Sequence, residues 1–270
     1  MLRKIQKTVL EAAKQLQYVV KPKKSPKATF AIIQWYSIQE EICDPYYLAL
    51  RQGVENFLKS QQIAVKRIFS DDINLFESFY DVSGIICLGK FSIEYIRKLK
   101  NSCKNLVLLD MDLVNPCSEA CIVLDFDDAM KQVVDYFHIL GHKKIGFLGG
   151  IEQSDDNHTY FDVRRSSFEK YCQNYQMEYQ KYIREDKFTS ESGYQMMIEM
   201  IQSNDLPDAI FAASDPIAIG ALRALLDSKI KVPEDISIME FDNIEATNFT
   251  SLPLTTIHAP AYEMGQLGAK

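Results

Sequence analysis

The sequence lacks the short motifs that mark most nucleotide-binding proteins and serine hydrolases. Neither Gly-x-x-x-x-Gly-Lys-Ser/Thr nor Gly-x-Gly-x-x-Gly occurs, so no glycine-rich loop is available to cradle a phosphate. The Gly-x-Ser-x-Gly elbow of hydrolases is absent as well. These absences argue against a nucleotide ligand and against nucleophilic catalysis of the hydrolase type.

Cysteine and histidine are scarce and poorly spaced for metal binding. No Cys-x-x-Cys pair occurs among the six cysteines, which we interpret as core thiols of a cytoplasmic protein. His138 and His142 have i, i+4 spacing, but Gly141 falls between them at a predicted helix end. We therefore expect no metal site and no cofactor.

Long apolar runs are also missing. No stretch approaches the ~18 residues that a membrane-spanning helix needs. The segment Met1–Lys7 is basic, but no apolar region follows it, so we expect no secretory signal. These observations predict a cytoplasmic protein without a membrane partner.

Charge is present but unevenly distributed. The net charge is −7, yet residues 1–30 contain eight lysine or arginine residues against one glutamate. Such asymmetry is typical of a tail that faces nucleic acid, although a solvated linker with incidental lysines would look the same. Apolar spacing predicts a helix over residues 5–17, and the proline- and lysine-rich segment Lys21–Lys27 is typical of a linker.

From Ala28 onward, apolar strands alternate with amphipathic helices. The helices are predicted at residues 46–60, 93–100, 127–140, 162–174 and 192–203, with one more after Ala213. The strands are predicted at residues 28–34, 63–68, 83–89, 106–110, 121–125, 144–150, 183–188, 209–213 and 236–241. Strands this apolar, separated by helices, favour parallel sheets covered on both faces. The pattern restarts at Lys144, which predicts an α/β protein with two Rossmann-like parallel-sheet lobes.

Polar and aromatic side chains follow many of these strands. In open parallel sheets, ligands bind beyond the carboxyl ends of the strands. Carboxylates accept hydrogen bonds from sugar hydroxyls, arginine donates in a planar fork, and an aromatic ring covers the C–H face of a pyranose. The pattern therefore indicates a small polyol site between the lobes. Glycoside hydrolysis stays open, because it depends on a carboxylate separation that a sequence cannot supply.

Each of these residues also has a structural interpretation. Ser214 or Asp215 could simply cap the helix that starts there, and Asp127 or Asp128 could cap another. Phe188 could belong to the core. Of the neighbouring Arg164 and Arg165, one is expected to be a solvated charge.

Several segments resemble the lactose-repressor (LacI/GalR) family of bacterial transcription regulators. The most specific is SDPIAIGALRALLDSKIKVPEDISIMEFDN at residues 214–243, followed by PLTTI at Pro253–Ile257. VLEAAKQLQY at Val9–Tyr18 resembles the end of that family's DNA-binding headpiece, and LGHKKIGFLGG at Leu140–Gly150 resembles the start of its second lobe. DPYYLALRQGVENF at Asp44–Phe57 resembles the evolved-β-galactosidase repressor type within the family.

The resemblance implies a type I periplasmic-binding-protein fold and a sugar-responsive repressor that binds operator DNA as a homodimer. Galactoside is the sugar suggested by the narrower likeness. A solute-binding protein without a DNA role is the alternative. Carried over by position, the effector-binding candidates are Tyr46, Tyr47, Asp128, Arg164, Phe188, Ser214 and Asp242. The DNA-facing candidates are Arg3, Lys4 and Lys7. No catalytic residue is implied.

The same resemblance suggests how the chain is divided. Residues 1–18 would be a remnant of the helix-turn-helix headpiece and residues 19–27 a linker. Residues 28–140 with 258–270 would form the N-terminal lobe, and residues 141–257 the C-terminal lobe. The chain would cross between lobes near residues 140–142 and 255–260.

The sequence also departs from the family pattern. The Ala-x-x-Leu hinge-helix motif is missing, Glu240 stands where glycine is usual, and Ala259 replaces a frequent glutamine. Only the last headpiece helix is recognisable, so we expect base recognition to require a complete headpiece. The chain stops at Lys270 within the helix that begins near Pro260, before the family's final helix and strand.

Overall fold

The computed structural model describes residues 28–69, 81–111, 120–153, 159–160 and 162–270, with isolated positions at Ala12, Gln15, Leu16 and Phe79. The predicted DNA-facing residues Arg3, Lys4 and Lys7 lie outside the described residues. So do the linker and nearly all of the predicted headpiece remnant.

The first lobe is a five-stranded parallel sheet. Its strand order is β2-β1-β3-β4-β5, and its strands are β1 (Thr29–Gln34), β2 (Ala64–Phe69), β3 (Gly84–Leu88), β4 (Leu106–Leu109) and β5 (Ala120–Ile122). Its helices are α1 (Ile38–Cys43), α2 (Pro45–Ser60) and α3 (Ile93–Ser102). All five residues of β3 are buried, as expected for a central strand covered on both faces.

The second lobe repeats this arrangement. After α4 (Phe126–Ile139) come the strands β6 (Ile145–Gly150), β9 (Ile183–Asp186), β10 (Ala209–Ala212), β11 (Ser237–Asp242) and β12 (Thr255–His258), in the parallel order β12-β11-β10-β6-β9. Its helices are α5 (Val163–Asn174), α6 (Ser190–Gln202) and α7 (Asp215–Asp227). A small antiparallel hairpin, β7 (Glu152–Gln153) with β8 (Thr159–Tyr160), extends from β6.

Both sheets place their first strand between their second and third. This reversal of strand order leaves a crevice at the carboxyl ends of the strands, which is where open α/β sheets bind ligands. The prediction of two parallel-sheet lobes is confirmed.

The first passage between the lobes differs from the predicted one. Helix α4 packs on α5 of the second lobe: Asp127 accepts hydrogen bonds from Ser167 at 2.8 Å and from Tyr171 at 2.7 Å. Asp135 of α4 also accepts a hydrogen bond from the Tyr175 hydroxyl, at the end of α5, at 2.8 Å. The chain therefore passes between lobes at residues 123–125, ahead of the helix, and not at residues 140–142.

The return passage follows β12. Helix α8 (Ala261–Gly268) lies against α2 of the first lobe, with backbone touching backbone. A Cβ atom on Gly53 would lie 2.0 Å from the Tyr262 carbonyl oxygen, and one on Gly265 would lie 2.1 Å from the Leu50 oxygen. Only glycine permits this approach.

Several short elements have no counterpart in the sequence pattern. Helix α1 depends on a capping box, in which Glu40 accepts from the Ser37 backbone at 2.7 Å and Ser37 Oγ accepts from the Glu40 backbone at 3.3 Å. Six residues are too few for a periodicity to be seen, and the same applies to the hairpin and to β12. Within the described ranges, no helix is both long and apolar enough to cross a bilayer.

Candidate functional site

A cavity of about 210 Å³ lies in the crevice between the two sheets. The first lobe contributes lining residues that follow its strands or open α2, and the second lobe contributes the corresponding strand ends and the start of α5. The lining residues are Asp44, Tyr46, Tyr47, Lys90, Asp110, Met111, Leu124, Phe126, Glu152, Asp162, Val163, Arg164, Phe188, Ser214, Phe241 and Asp242.

On the first-lobe side, two tyrosines and a lysine converge on Asp110. Tyr47 donates to Asp110 Oδ2 at 2.9 Å, and Tyr46 approaches Oδ1 at 3.4 Å. Lys90 Nζ donates to the Asp110 carbonyl oxygen at 2.5 Å and lies 3.3 Å from Oδ2. Burial raises the pKa of both tyrosines well above the usual value, so they remain neutral hydrogen-bonding groups.

On the second-lobe side, Arg164 is held from two directions. Its Nε donates to both oxygens of Asp162, at 2.8 and 2.9 Å, and its Nη1 donates to the Ala213 carbonyl at 2.5 Å. Burial opposes the charge, but Asp162 and Asp242 raise the pKa of Arg164 above its usual value. Within the described residues no partner occurs for Nη2, so that nitrogen is available to a ligand.

Three aromatic rings enclose the Arg164 guanidinium. The rings of Phe126, Phe188 and Phe241 have centroids 5.2, 5.3 and 5.3 Å from its Cζ atom. Phe188 also covers Gly150, where a Cβ atom would lie 2.1 Å from the ring. Phe188 therefore positions Arg164, a role that its sequence position alone did not suggest.

Three further carboxyl groups, Asp44, Glu152 and Asp242, line the cavity. Burial raises the pKa of Asp44 to about 6 and that of Glu152 to about 7. Burial and the neighbouring Asp44 raise the pKa of Asp242 well above its usual value. Asp44 and Glu152 therefore titrate near neutral pH, and a ligand that donates hydrogen bonds would favour their ionised forms.

Tyr47 and Glu152 meet across the crevice. The Tyr47 hydroxyl lies 3.4 Å from Glu152 Oε1, although its single proton is directed to Asp110 at 2.9 Å. A protonated Glu152 can donate to the tyrosine oxygen instead, which agrees with its raised pKa. This contact joins the first lobe to the second through side chains of the cavity.

Asp242 adopts an unusual backbone conformation. Its φ is 101° and that of Asn243 is 65°, values that residues other than glycine rarely adopt. The turn is fixed by the next residue, because Ile244 N donates to Asp215 Oδ2 at 2.8 Å. Strain of this kind persists only where the surroundings impose it and is frequent at binding sites.

Behind this turn lies a second acidic group, sealed from solvent. Glu240 and Asp215 are both fully buried, and Glu240 is in register with Thr256 of β12. Asp215 Oδ1, both Glu240 carboxyl oxygens and Thr256 Oγ1 have no hydrogen-bond partner among the described residues. Burial and the adjacent Asp215 raise the pKa of Glu240 to about 10, and burial raises that of Asp215. The pair therefore holds a proton at neutral pH, and that proton supplies the missing donor.

The structure brings together most of the sequence-predicted effector residues. Those lining the cavity are Tyr46, Tyr47, Arg164, Phe188, Ser214 and Asp242. Asp128 is different: it is exposed on α4, accepts from Gln132 at 2.8 Å and does not line the cavity. Ser214 also caps α7, with Oγ accepting from Ile217 N at 3.5 Å.

Five charged lining residues were not among those candidates. Lys90 and Glu152 stand two residues beyond the last residues of β3 and β6, and Asp110 directly follows β4, so stricter use of the strand-end rule would have found them. Asp44 and Asp162 cap α2 and α5. Their signal is an aspartate within two residues of the predicted start of a helix, at the end that faces the crevice. No group of three potential metal ligands occurs in the part of the chain that the structure describes.

Two parallel-sheet lobes with a polar crevice define a periplasmic-binding-protein-like domain, and a model of that domain family matches residues 134–270. The chain is 32% identical over 265 residues to the transcriptional regulator GalR of Lacticaseibacillus casei, covering 96% of this chain and 79% of the relative. It is 36% identical over 253 residues to GalR of Streptococcus thermophilus, covering 90% and 73%.

The fold is shared with a LacI family transcriptional regulator from Lactobacillus casei solved with bound sucrose. That structure has a TM-score of 0.74 and 22% identity, over 89% of each chain. The chain belongs to the LacI family of helix-turn-helix transcription regulators.

Proposed function

We propose that this protein is a cytoplasmic repressor that responds to a sugar, and that the crevice between its lobes is the effector site. The observation that carries the proposal is the chemistry of that crevice. Carboxyl groups with shifted pKa values, buried tyrosine hydroxyls and one guanidinium nitrogen without a partner among the described residues converge on a cavity of about 210 Å³. A small polyol satisfies all of these groups together.

Each part of the cavity has a role in this proposal. Asp242 and Glu152 accept hydrogen bonds from sugar hydroxyls, and Arg164 Nη2 donates to a ring or hydroxyl oxygen. Tyr46 and Tyr47 form the first-lobe wall. The sucrose in the Lactobacillus casei neighbour supports a carbohydrate in this fold, and the relatives named GalR support a galactoside.

Binding would act by favouring one arrangement of the two lobes. Residues 28–122 with 261–270 would move as the N-terminal lobe, and residues 126–258 as the C-terminal lobe. A coupling of ~1–3 kcal/mol is sufficient to change operator affinity usefully, and a few hydroxyl hydrogen bonds can supply it. The complete protein would bind its operator as a homodimer through the helix-turn-helix headpiece.

The direct test is a thermal-shift screen against mono- and disaccharides, including galactose, lactose and melibiose. A sugar at 100 times its Kd adds ~2.7 kcal/mol of stability, which is a clear rise in Tm. Asp242→Ala should abolish the rise while its own melting remains cooperative. Glu199→Gln, which changes an exposed acid on α6, is the matched control and should retain the rise. No rise with any sugar would remove the proposal.

We propose no turnover of the bound sugar. The relatives are transcription regulators, and a regulator needs the effector to leave unchanged. Incubation with a chromogenic galactoside should release no chromophore above the buffer control. Release that Asp242→Ala abolishes would identify an enzyme instead.

A further inference from the structure

Both cations that line the cavity are already neutralised by groups of the protein. Lys90 is paired with Asp110, at 2.5 Å to the carbonyl oxygen and 3.3 Å to Oδ2. Arg164 is paired with both oxygens of Asp162, at 2.8 and 2.9 Å. Neither cation has an uncompensated charge to offer a ligand.

Three carboxyl groups that line the same cavity have no such partner among the described residues. Within the described residues, no lysine or arginine forms an ion pair with Asp44, Glu152 or Asp242. Burial, assisted by repulsion from the Asp110 carboxylate, raises the pKa of Asp44 to about 6 and that of Glu152 to about 7. The cavity is therefore unfavourable for negative charge even before a ligand enters.

From this imbalance we infer that the effector carries no negative charge, and that Asp44, Glu152 and Asp242 exclude the phosphorylated and uronic acid forms of the sugar. The inference rests on the proposed function and narrows its ligand class to free sugars and amino sugars. A phosphate would bring further negative charge beside carboxylates in a place where water is scarce. A hydroxyl or an ammonium group would instead donate to them.

Arg164 Nη2, which has no partner in the part of the chain that the structure describes, does not alter this conclusion. A phosphate drawn to Nη2 would meet the neighbouring Asp242 and Glu152, whose charges act on the same guanidinium and raise its pKa. Phosphate sites in proteins offer uncompensated arginine or lysine charge, or a helix N-terminus free of acids. Here α5 begins with Asp162 as its cap.

The test is isothermal titration of the purified chain at pH 7.5 with galactose, galactosamine, galactose 6-phosphate and galacturonic acid. The glucose series is titrated in parallel. We expect the neutral sugar and the amine to bind, and both anions to bind at least about 100-fold more weakly. An anion that binds as tightly as its neutral parent would overturn the inference and leave the sugar-sensor proposal standing. Binding by no member of either series, together with no thermal shift for any mono- or disaccharide of the screen, would remove both.

The methyl ester of galacturonic acid tests whether the acid is excluded because of its charge or because of its size. The ester is larger than the acid but uncharged, so exclusion by charge predicts that the ester binds and the acid does not. Rejection of both would show exclusion by size and overturn the inference. This comparison uses the unaltered protein and depends on no variant folding correctly.

Variants with an amide in place of a carboxyl group then identify which cavity residues discriminate against the anionic sugar. Glu152→Gln keeps the side-chain size and should reduce the ratio of galacturonate Kd to galactose Kd about tenfold or more. Asp44→Asn should act in the same direction. Glu199→Gln, with an exposed acid removed from α6, should leave the ratio unchanged. An unchanged ratio in both cavity variants would contradict the inference.

Discussion

Two groups of acidic side chains lie close together in this protein and behave differently. The open cluster, Asp44, Glu152 and Asp242, faces the cavity, whereas the sealed pair, Asp215 and Glu240, is closed off behind the Asp242 turn. Burial raises pKa values in both groups. The sealed pair holds its proton at neutral pH and fixes the backbone, while the carboxyls of the open cluster remain available to accept hydrogen bonds from a ligand. The sealed pair and the open cluster consist of the same residue types and differ in whether they face the cavity.

The largest effect should come from breaking the sealed pair. Asp215→Ala removes the acceptor of the Ile244 N–H group and leaves Glu240 without its partner. A buried, unsatisfied group costs ~1–3 kcal/mol, so we expect a loss of ~2–4 kcal/mol in the free energy of unfolding measured with urea. Asp227→Ala removes an exposed acid from the other end of α7 and should cost ~0.5 kcal/mol or less. Equal losses in the two variants would contradict the assigned role.

Backbone strain at Asp242 should give the next largest effect. Alanine and glycine both remove the carboxyl group, but only glycine tolerates a φ of 101°. Asp242→Gly should therefore be ~1 kcal/mol more stable than Asp242→Ala in urea denaturation, while neither variant binds sugar. If the two variants are equally stable, the turn is not strained.

A third comparison uses pH. The folded-state pKa of Glu152, about 7, exceeds its value of 4.5 in an unfolded chain, so the folded protein binds the proton more tightly. Stability without ligand should consequently fall as pH rises from about 4.5 through 7. Sugar affinity should change in the opposite direction and increase over the same range, because hydroxyl donors favour the ionised acid. Glu152→Gln should weaken both pH trends at pH 5.5, 6.5 and 7.5. Stability is measured by urea denaturation and sugar affinity by calorimetric titration.

The smallest effect is expected for Asp128, the one predicted effector residue outside the cavity lining. Asp128→Asn removes an exposed charge and retains an acceptor for Gln132. The Kd for the sugar identified by the thermal-shift screen should change less than twofold. A loss of sugar affinity comparable with that of Asp242→Ala would show that Asp128 contacts the ligand. The lobes would then have to close further around the ligand than they do in this structure.

Much of the fold could be predicted because its signals are local. Fully apolar strands such as β3 and β10, separated by capped helices, predict parallel sheets that are buried on both faces. Placement of α4 could not be predicted in this way. Its apolar face fits either lobe, and only contacts such as Tyr171 with Asp127 assign it to the second.

The site was predictable in outline but not in its charge balance. The strand-end rule identified Ser214 and Asp242, whereas choosing Asp128 on α4 required knowing which way a helix faces. Glu240 was recognisable as a departure from the family pattern. Its partner was not, because pairing with Asp215 arises between a strand interior and a helix start 25 residues away. Charge pairing such as Lys90 with Asp110 likewise exists only in three dimensions.

The glycine contacts between α2 and α8 have a mechanical consequence. At Gly53 and Gly265 the two helix backbones are in direct contact, because no side chain of these residues lies between them. Helix α2 carries Tyr46 and Tyr47 at its start, and α8 is the first element after the chain returns from the second lobe. We therefore expect a displacement of α8 to shift α2 by a similar amount, and with it Tyr46 and Tyr47 in the cavity wall.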